Sequence, residues 1–218
     1  HYLNGIYLHK TKLENKSFLC AVATDSHRLS SSSLEIDPSI NIEPIILPKK
    51  TIFQLISLIE QSNKKIKISN NKSKIKFEMS NGVLISKVID GRFPDYSKVI
   101  PKGNDKILQI KLDEFKNSIE RVTTVSSDRK EGLKIAISKD TVQLSVNNPI
   151  SGEGIENVKA NFNSEDLNIS FNSRYLTDIA SQIENQSIVI NLKDAGSPVL
   201  INDFSDKNSF HVVMPMKI

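Results

Sequence analysis

Three residues that could do chemistry together stand side by side in "CAVATDSHRLSSSSLEI": Asp25, Ser26 and His27. They are the side chains of a hydrolytic triad. Such a triad needs a base within about 3 Å of its nucleophile and a carboxylate behind the base. Neighbours on an extended chain point to opposite faces, which keeps Ser26 from His27. No G-x-S-x-G elbow surrounds the serine either. The alternative is an apolar strand, "FLCAVAT", that ends in a polar turn, "DSHR". Two functions stay open at this point, a hydrolase on these residues and a binding turn.

The chain around that turn has 218 residues, room for one large domain or two ordinary ones. Its 38% hydrophobic and 25% charged content is that of a globular protein. No apolar run approaches the roughly 20 residues of a membrane span, and "HYLNGIYLHK" carries no signal-peptide core. Cys20 is alone in an apolar strand, so no internal disulfide forms and a reducing, cytoplasmic setting is expected. His1, His9, His27 and His211 pair with no cysteine or carboxylate at metal-ligand spacing, so neither a metal nor another cofactor is expected. The net charge of +4 allows an anionic partner without requiring one.

The elements that position the turn are organised as a repeat. "TIFQLISLIEQ" places Ile52, Leu55, Ile56 and Ile59 on one helical face, and "YLTDIASQIENQ" repeats the spacing with Leu176, Ile179, Ala180 and Ile183. Pro48 and Ser173 are the expected helix starters. After each helix come three short alternating strands, in "KIKISNNKSKIKFEMSNGVLISKVI" and in "SIVINLKDAGSPVLINDFSDKNSFHVVMPM". Before each helix lies a strand pair, with Gly5 matching Gly132 and Val22 matching Val146. The second unit has an extra helix over residues 112–128, with Leu112, Phe115, Ile119 and Val122 on one face. Nothing ahead of Tyr2 matches it, so the chain is expected to begin inside a domain. Pro94, Pro101 and Gly103 mark a linker near residues 95–106. The fold class is α+β, with two helices per complete unit packed on antiparallel sheet. The polar helix faces, which include Lys50, Gln54 and Ser57, Asn117, Arg121 and Thr124, and Arg174 and Ser181, carry few carboxylates.

Together "VATDSHRLS", "LPKKTIFQL", "DGRFPDYSKVIP", "FNSRYLTD" and "HVVMPMKI" resemble the bacterial DNA sliding clamps, the beta subunits of DNA polymerase III, over the whole chain from Tyr2. The resemblance implies the DNA clamp fold. Residues 1–95 would be a second clamp domain, truncated at its N-terminus, and 96–218 the third. It implies a non-enzymatic processivity factor, a ring around duplex DNA that binds without regard to sequence. DNA polymerase III, the clamp loader and other clamp-binding proteins would be its partners. The full-length protein would be a homodimer, and this chain alone a monomer or weakly self-associating.

The resemblance also gives the "ATDSHRL" turn a role, in a cleft between the two domains that takes partner peptides. Matching positions assign to it Leu3, Thr24, Ser26, His27, Arg28, Leu29, Pro94, Lys98, Val99, Asn172, Tyr175, Val199, Val212, Val213, Met214, Pro215 and Met216. Lys50, Arg121 and Arg174 would face DNA, and Val125, Glu153 and Glu156 the ring contact. Ser26 departs from the family, which has glycine there, so a turn of positive φ would be strained. Lys98 stands where arginine is common and loses bidentate geometry. A third possibility is an α+β nucleic-acid-binding module that never forms a ring.

Overall fold

The computed structural model describes residues 3–59, 65–126, 132–206 and 208–217. The chain divides into two compact units. One comprises His1–Asp25 and Ser30–Asp95; the other comprises Ser26–Leu29 and Tyr96–Ile218.

In the first unit, strands β1 (Gly5–Leu13), β2 (Lys16–Thr24), β3 (Arg28–Ile36, counted here from Ser30) and β4 (Ile45–Pro48) form a sheet ordered β3-β2-β1-β4. A second sheet holds β5 (Lys67–Asn70), β6 (Lys74–Met79) and β7 (Gly82–Lys87) in that order. These last three are the short strands that "KIKISNNKSKIKFEMSNGVLISKVI" predicts. Helix α1 (Lys49–Ile59) follows Pro48, whose fixed φ suits a helix entry. It lays Ile52 and Leu55 against a core of Leu8, Ile45, Leu47, Ile75 and Phe77. Ile56 and Ile59, expected on the same buried face, are exposed, as is Phe53. The apolar stripe of α1 is wider than the surface the described residues offer it.

The second unit contains β8 (Lys106–Lys111), α2 (Leu112–Val122), β9 (Gly132–Ser138), β10 (Thr141–Asn148), β11 (Gly152–Asn161) and β12 (Leu167–Asn172). Helix α3 (Ser173–Ala180) and strands β13 (Ser187–Leu192), β14 (Val199–Asp203) and β15 (Ser209–Val213) complete it. Its strands are ordered β12-β9-β10-β11-β8-β13-β14-β15. The series β9 to β12, α3, β13 to β15 repeats the series β1 to β4, α1, β5 to β7. Strand β8, paired with both β11 and β13, has no counterpart among the described residues of the first unit. Helices α1 and α3 are each preceded by four strands rather than the expected pair.

Leu112, Phe115, Ile119 and Val122 of α2 are all buried, as their spacing predicts, beside Leu176, Ile179 and Ala180 of α3. Helix α2 ends at Val122 and a 3-10 turn, Thr123–Val125, follows. The Thr123 hydroxyl donates to the Ile119 carbonyl (2.7 Å), the local competition that ends helices at threonine. The remainder of the expected helix, residues 127 and 128, lies outside the described residues. Helix α3 starts at Ser173, as expected, and its N-cap is Asn172, whose side chain accepts from the Arg174 N–H at 3.0 Å.

One detail of the repeat needs correction. With Gly5 set against Gly132, Val22 pairs with Tyr7 while Ser145 pairs with Lys134. Val22 therefore corresponds to Ser145, one residue from Val146. A shift of one residue moves a strand side chain to the other face of the sheet.

Candidate functional site

Strand β2 ends at Thr24, and the chain turns through Asp25, Ser26 and His27 into β3. Ser26 takes φ +76°, in the left-handed region that costs a non-glycine residue about 1–2 kcal/mol. The expectation of strain at this serine is met. The next element is a strand, so this is not the strand-to-helix elbow of a nucleophilic serine.

Residues 26–29 belong to the second unit and are tied to it at three points. The His27 carbonyl accepts from the Met214 N–H at 2.9 Å. The His27 ring lies 6.5 Å from the Tyr175 ring, 25° from parallel. The Arg28 guanidinium sits 4.4 Å from the Tyr175 ring centre and pairs with the Asp178 carboxylate at 2.6 Å. Tyr175 and Asp178 are three apart on α3, so they share one face, while Leu176 and Ile179 face the core. Asp178 is a site residue that sequence reading missed. Its spacing from Tyr175 was the one available signal. Each contact at this half-exposed site contributes little, about 0–1 kcal/mol. Their combined effect is orientation, which fixes an arginine fork suited to a carboxylate or a peptide carbonyl.

The end of the chain supplies the apolar part. Val212 and Val213 at the end of β15 are buried, as are Leu29 and Val199, and Val199 and Val213 belong to the main core. These four, all assigned to the peptide cleft by the family resemblance, have little exposed side-chain surface. Met214 (42% exposed) and Met216 (37% exposed) are the side chains that offer surface. The Met216 N–H donates to the Ser170 carbonyl of β12 at 2.7 Å, which lays the segment along that strand. Met214, Pro215 and Met216 line a groove of about 830 Å³ with Lys134 and Ser170. Methionine is unbranched and polarisable and adapts to varied apolar partners. Asn172 caps α3, and Lys98 and Val99 are exposed at a 3-10 turn, Tyr96–Lys98, and just after it. Leu3, Thr24 and Pro94 belong to the first unit, where Leu3 and Thr24 are half-buried and Pro94 is exposed.

The cations expected to face DNA differ in setting. Lys50 and Arg174 are exposed in the first turns of α1 and α3. Arg121 is gripped by Glu156 of β11: Nε donates to Oε1 at 2.6 Å and Nη2 to Oε2 at 2.8 Å. The Ser118 hydroxyl accepts a further bond from Nη2 at 3.0 Å. Hydrogen bonding to Arg121 holds the Glu156 carboxyl below the usual carboxylate range, and the same bond raises Arg121. Glu153 lies on the same strand as Glu156, and Val125 packs on the core from the 3-10 turn. A residue expected at DNA and one expected at the ring contact thus form one clasp. Among the described residues no group of three His, Cys, Asp or Glu is placed to hold a metal ion, and no helix is long and apolar enough to cross a membrane.

Comparison with known proteins agrees across the whole chain. Residues 1–95 match the family profile "DNA polymerase III beta subunit, central domain", and residues 97–217 match "DNA polymerase III beta subunit, C-terminal domain". The Beta sliding clamp of Caulobacter vibrioides is 35% identical over 219 residues and that of Escherichia coli K12 30% over 218. All of this chain is covered in both cases, with 59% and 58% of the relative. The chain therefore spans somewhat under two thirds of the length of the curated relatives it matches. Among solved structures, a DnaN sliding clamp from Bartonella birtlesii bound to griselimycin superposes with TM-score 0.95 at 38% identity, over 100% of this chain and 59% of that one. A C. crescentus beta sliding clamp with PEG bound superposes with TM-score 0.96 at 35% identity, over 100% and 58%. Two domain profiles matched in order, full-length identity and a shared fold lead to one conclusion: the chain belongs to the DNA polymerase III beta subunit family.

Proposed function

We propose that the chain is part of a processivity clamp, a non-catalytic ring around duplex DNA that tethers the replicative polymerase. Residues 1–95 act as the second clamp domain and 96–218 as the third. A topological tether needs only weak, sequence-independent contact with phosphates, which the exposed Lys50 and Arg174 suit. Clamp-binding peptides of DNA polymerase III, the clamp loader and repair proteins dock on Arg28, His27, Tyr175, Met214 and Met216. The observation that carries this reading is the clasp of Arg28 by Tyr175 and Asp178, together with two exposed methionines where His27 bonds Met214. It sets an oriented cation beside an adaptable apolar surface, the two needs of a short peptide with apolar anchors.

Calorimetry with a peptide of glutamine followed by leucine and phenylalanine anchors tests it. Affinity should be about micromolar, because ordering a flexible peptide offsets much of the gain from burying two side chains. Met214→Ala should weaken it by about 1–2 kcal/mol, and Lys50→Ala should leave it unchanged. Equal affinities for the two variants would mean that the peptide does not use Met214.

A further inference from the structure

The sheet β5-β6-β7 of the first unit has one face in the core and one outside. Ile75 and Phe77 of β6 are buried, so Lys74, Lys76 and Glu78, alternating with them, point outward. Register extends that face across the sheet. Glu78 lies between Lys67 and Val83, Lys76 between Ser69 and Ile85, and Lys74 opposite Lys87. Glu78 Oε2 lies 3.1 Å from Lys76 Nζ and 3.9 Å from Lys67 Nζ, so its charge is balanced by two lysines, although the atom is buried and accepts no hydrogen bond among the described residues. Lys74 and Lys87, like charges directly opposite, are a pairing that destabilises a sheet unless something anionic lies over it. Among the described residues, Lys72, Lys74 and Lys87 form no ion pair. The turn that presents Lys72 is held, because the Asn71 side chain accepts from the Ser73 and Lys74 N–H groups at 3.0 and 2.9 Å.

Two further features share this face and its end. Val83 is 60% and Ile85 61% exposed, beside the lysines rather than in the core. A groove of about 490 Å³ opens where Lys72, Lys74 and Lys87 meet apolar walls from Pro44, Ile46 and Ile89; Asp90 is its one carboxylate. Tyr7 closes the groove and is stacked on Phe93 at 4.8 Å.

We infer that this outer face and groove dock an acidic protein segment whose carboxylates alternate with aliphatic side chains. Charge complementarity selects the acid, and the exposed Val83 and Ile85 select the aliphatic component. A nucleic acid would meet the lysines but leave those two side chains unused. A second copy of this chain, itself at +4, is not complementary in net charge. The site is independent of the peptide surface at Arg28 and Met214.

The probe is a fluorescein-labelled 12-residue peptide of alternating glutamate and leucine, read by fluorescence anisotropy at low salt. The full chain should bind it, and binding should fade as ionic strength rises and screening shortens. The double variant K74E/K87E should weaken binding at least tenfold, and Ile85→Ser about threefold, with circular dichroism unchanged. Lys72→Glu, in a turn outside the ladder, should weaken it severalfold and carries the same test should the double variant melt early. Met214→Ala should have no effect on this probe. The inference is overturned if the lysine variants bind as well as the parent, or if Met214→Ala weakens the probe instead. It is equally overturned if a 20-base-pair duplex or a leucine-free aspartate peptide of equal charge binds as tightly. A concentration-dependent mass abolished by K74E/K87E would make a second copy the occupant and would also overturn it.

Discussion

The two units follow the same order of elements but bury their helices differently. In the second unit α2 and α3 lie beside each other, and Phe115, Ile119, Leu176 and Ile179 are buried. In the first, α1 has no helical neighbour among the described residues, and Phe53 is 62% exposed. The sheets differ in parallel, because β8 joins β11 to β13 in one unit while nothing described joins β3 to β5 in the other. The comparison shows that an amphipathic pattern specifies a face to be buried, not the element that buries it. Burial then decides how much a residue contributes to stability.

The sharpest way to break this comparison is truncation of one phenylalanine in each unit. Phe115→Ala should cost about 3–5 kcal/mol in urea unfolding, the loss of a fully buried ring and the cavity it leaves. Phe53→Ala should stay within about 0.5 kcal/mol. Similar losses would show that α1 is packed in solution.

A second test probes close backbone approach. A Cβ at Gly154 would stand 2.7 Å from the Val122 carbonyl oxygen and 3.1 Å from the Val122 Cα, atoms that α2 holds in place. Gly154→Ala should destabilise by about 1–3 kcal/mol. In the first unit Gly5 meets the Leu47 carbonyl oxygen in the same way, and Gly5→Ala should cost as much. An unaffected midpoint in either variant would mean that the strand there moves freely.

Ser26→Gly should act in the opposite direction. It removes the left-handed strain at φ +76° and should raise stability by about 0.5–1 kcal/mol, less what the more flexible unfolded chain takes back. No gain would mean that the serine's own interactions offset the strain.

The smallest effect is a pH dependence shared between the units. Burial lowers the pKa of His9 in the first unit and of His211 in the second, from an ordinary value of 6.5. At His9 the ring's bond to the Lys10 carbonyl opposes that shift in part. The unfolded chain then takes up its protons first as pH falls. Stability present above about pH 6.5 should be lost as pH drops toward the lower folded values. Denaturant midpoints at about pH 7.5 and about pH 5.5 read the loss, and His211→Asn should flatten part of the slope. A steeper slope in that variant would contradict the assigned direction.

Local pattern alone was enough to determine the hairpins of β5 to β7 and β13 to β15 and the buried face of α2. Alternation, turn residues and helical spacing are short-range properties, legible wherever a segment's own periodicity decides its state. The turn at residues 25–27 was legible as a turn, and family likeness pointed to its partners. Only the tertiary structure decided the rest. Arg28 meets Asp178 across 150 residues and Arg121 meets Glu156 across 35, separations at which no periodicity records a contact. The apolar stripe of α1 states what could be buried, yet which of its residues are buried depends on what packs against it. Val199, Leu29, Val212 and Val213 became core, and Met214 and Met216 surface. A run of apolar residues looks the same from either side until the sheet assigns each side chain a face.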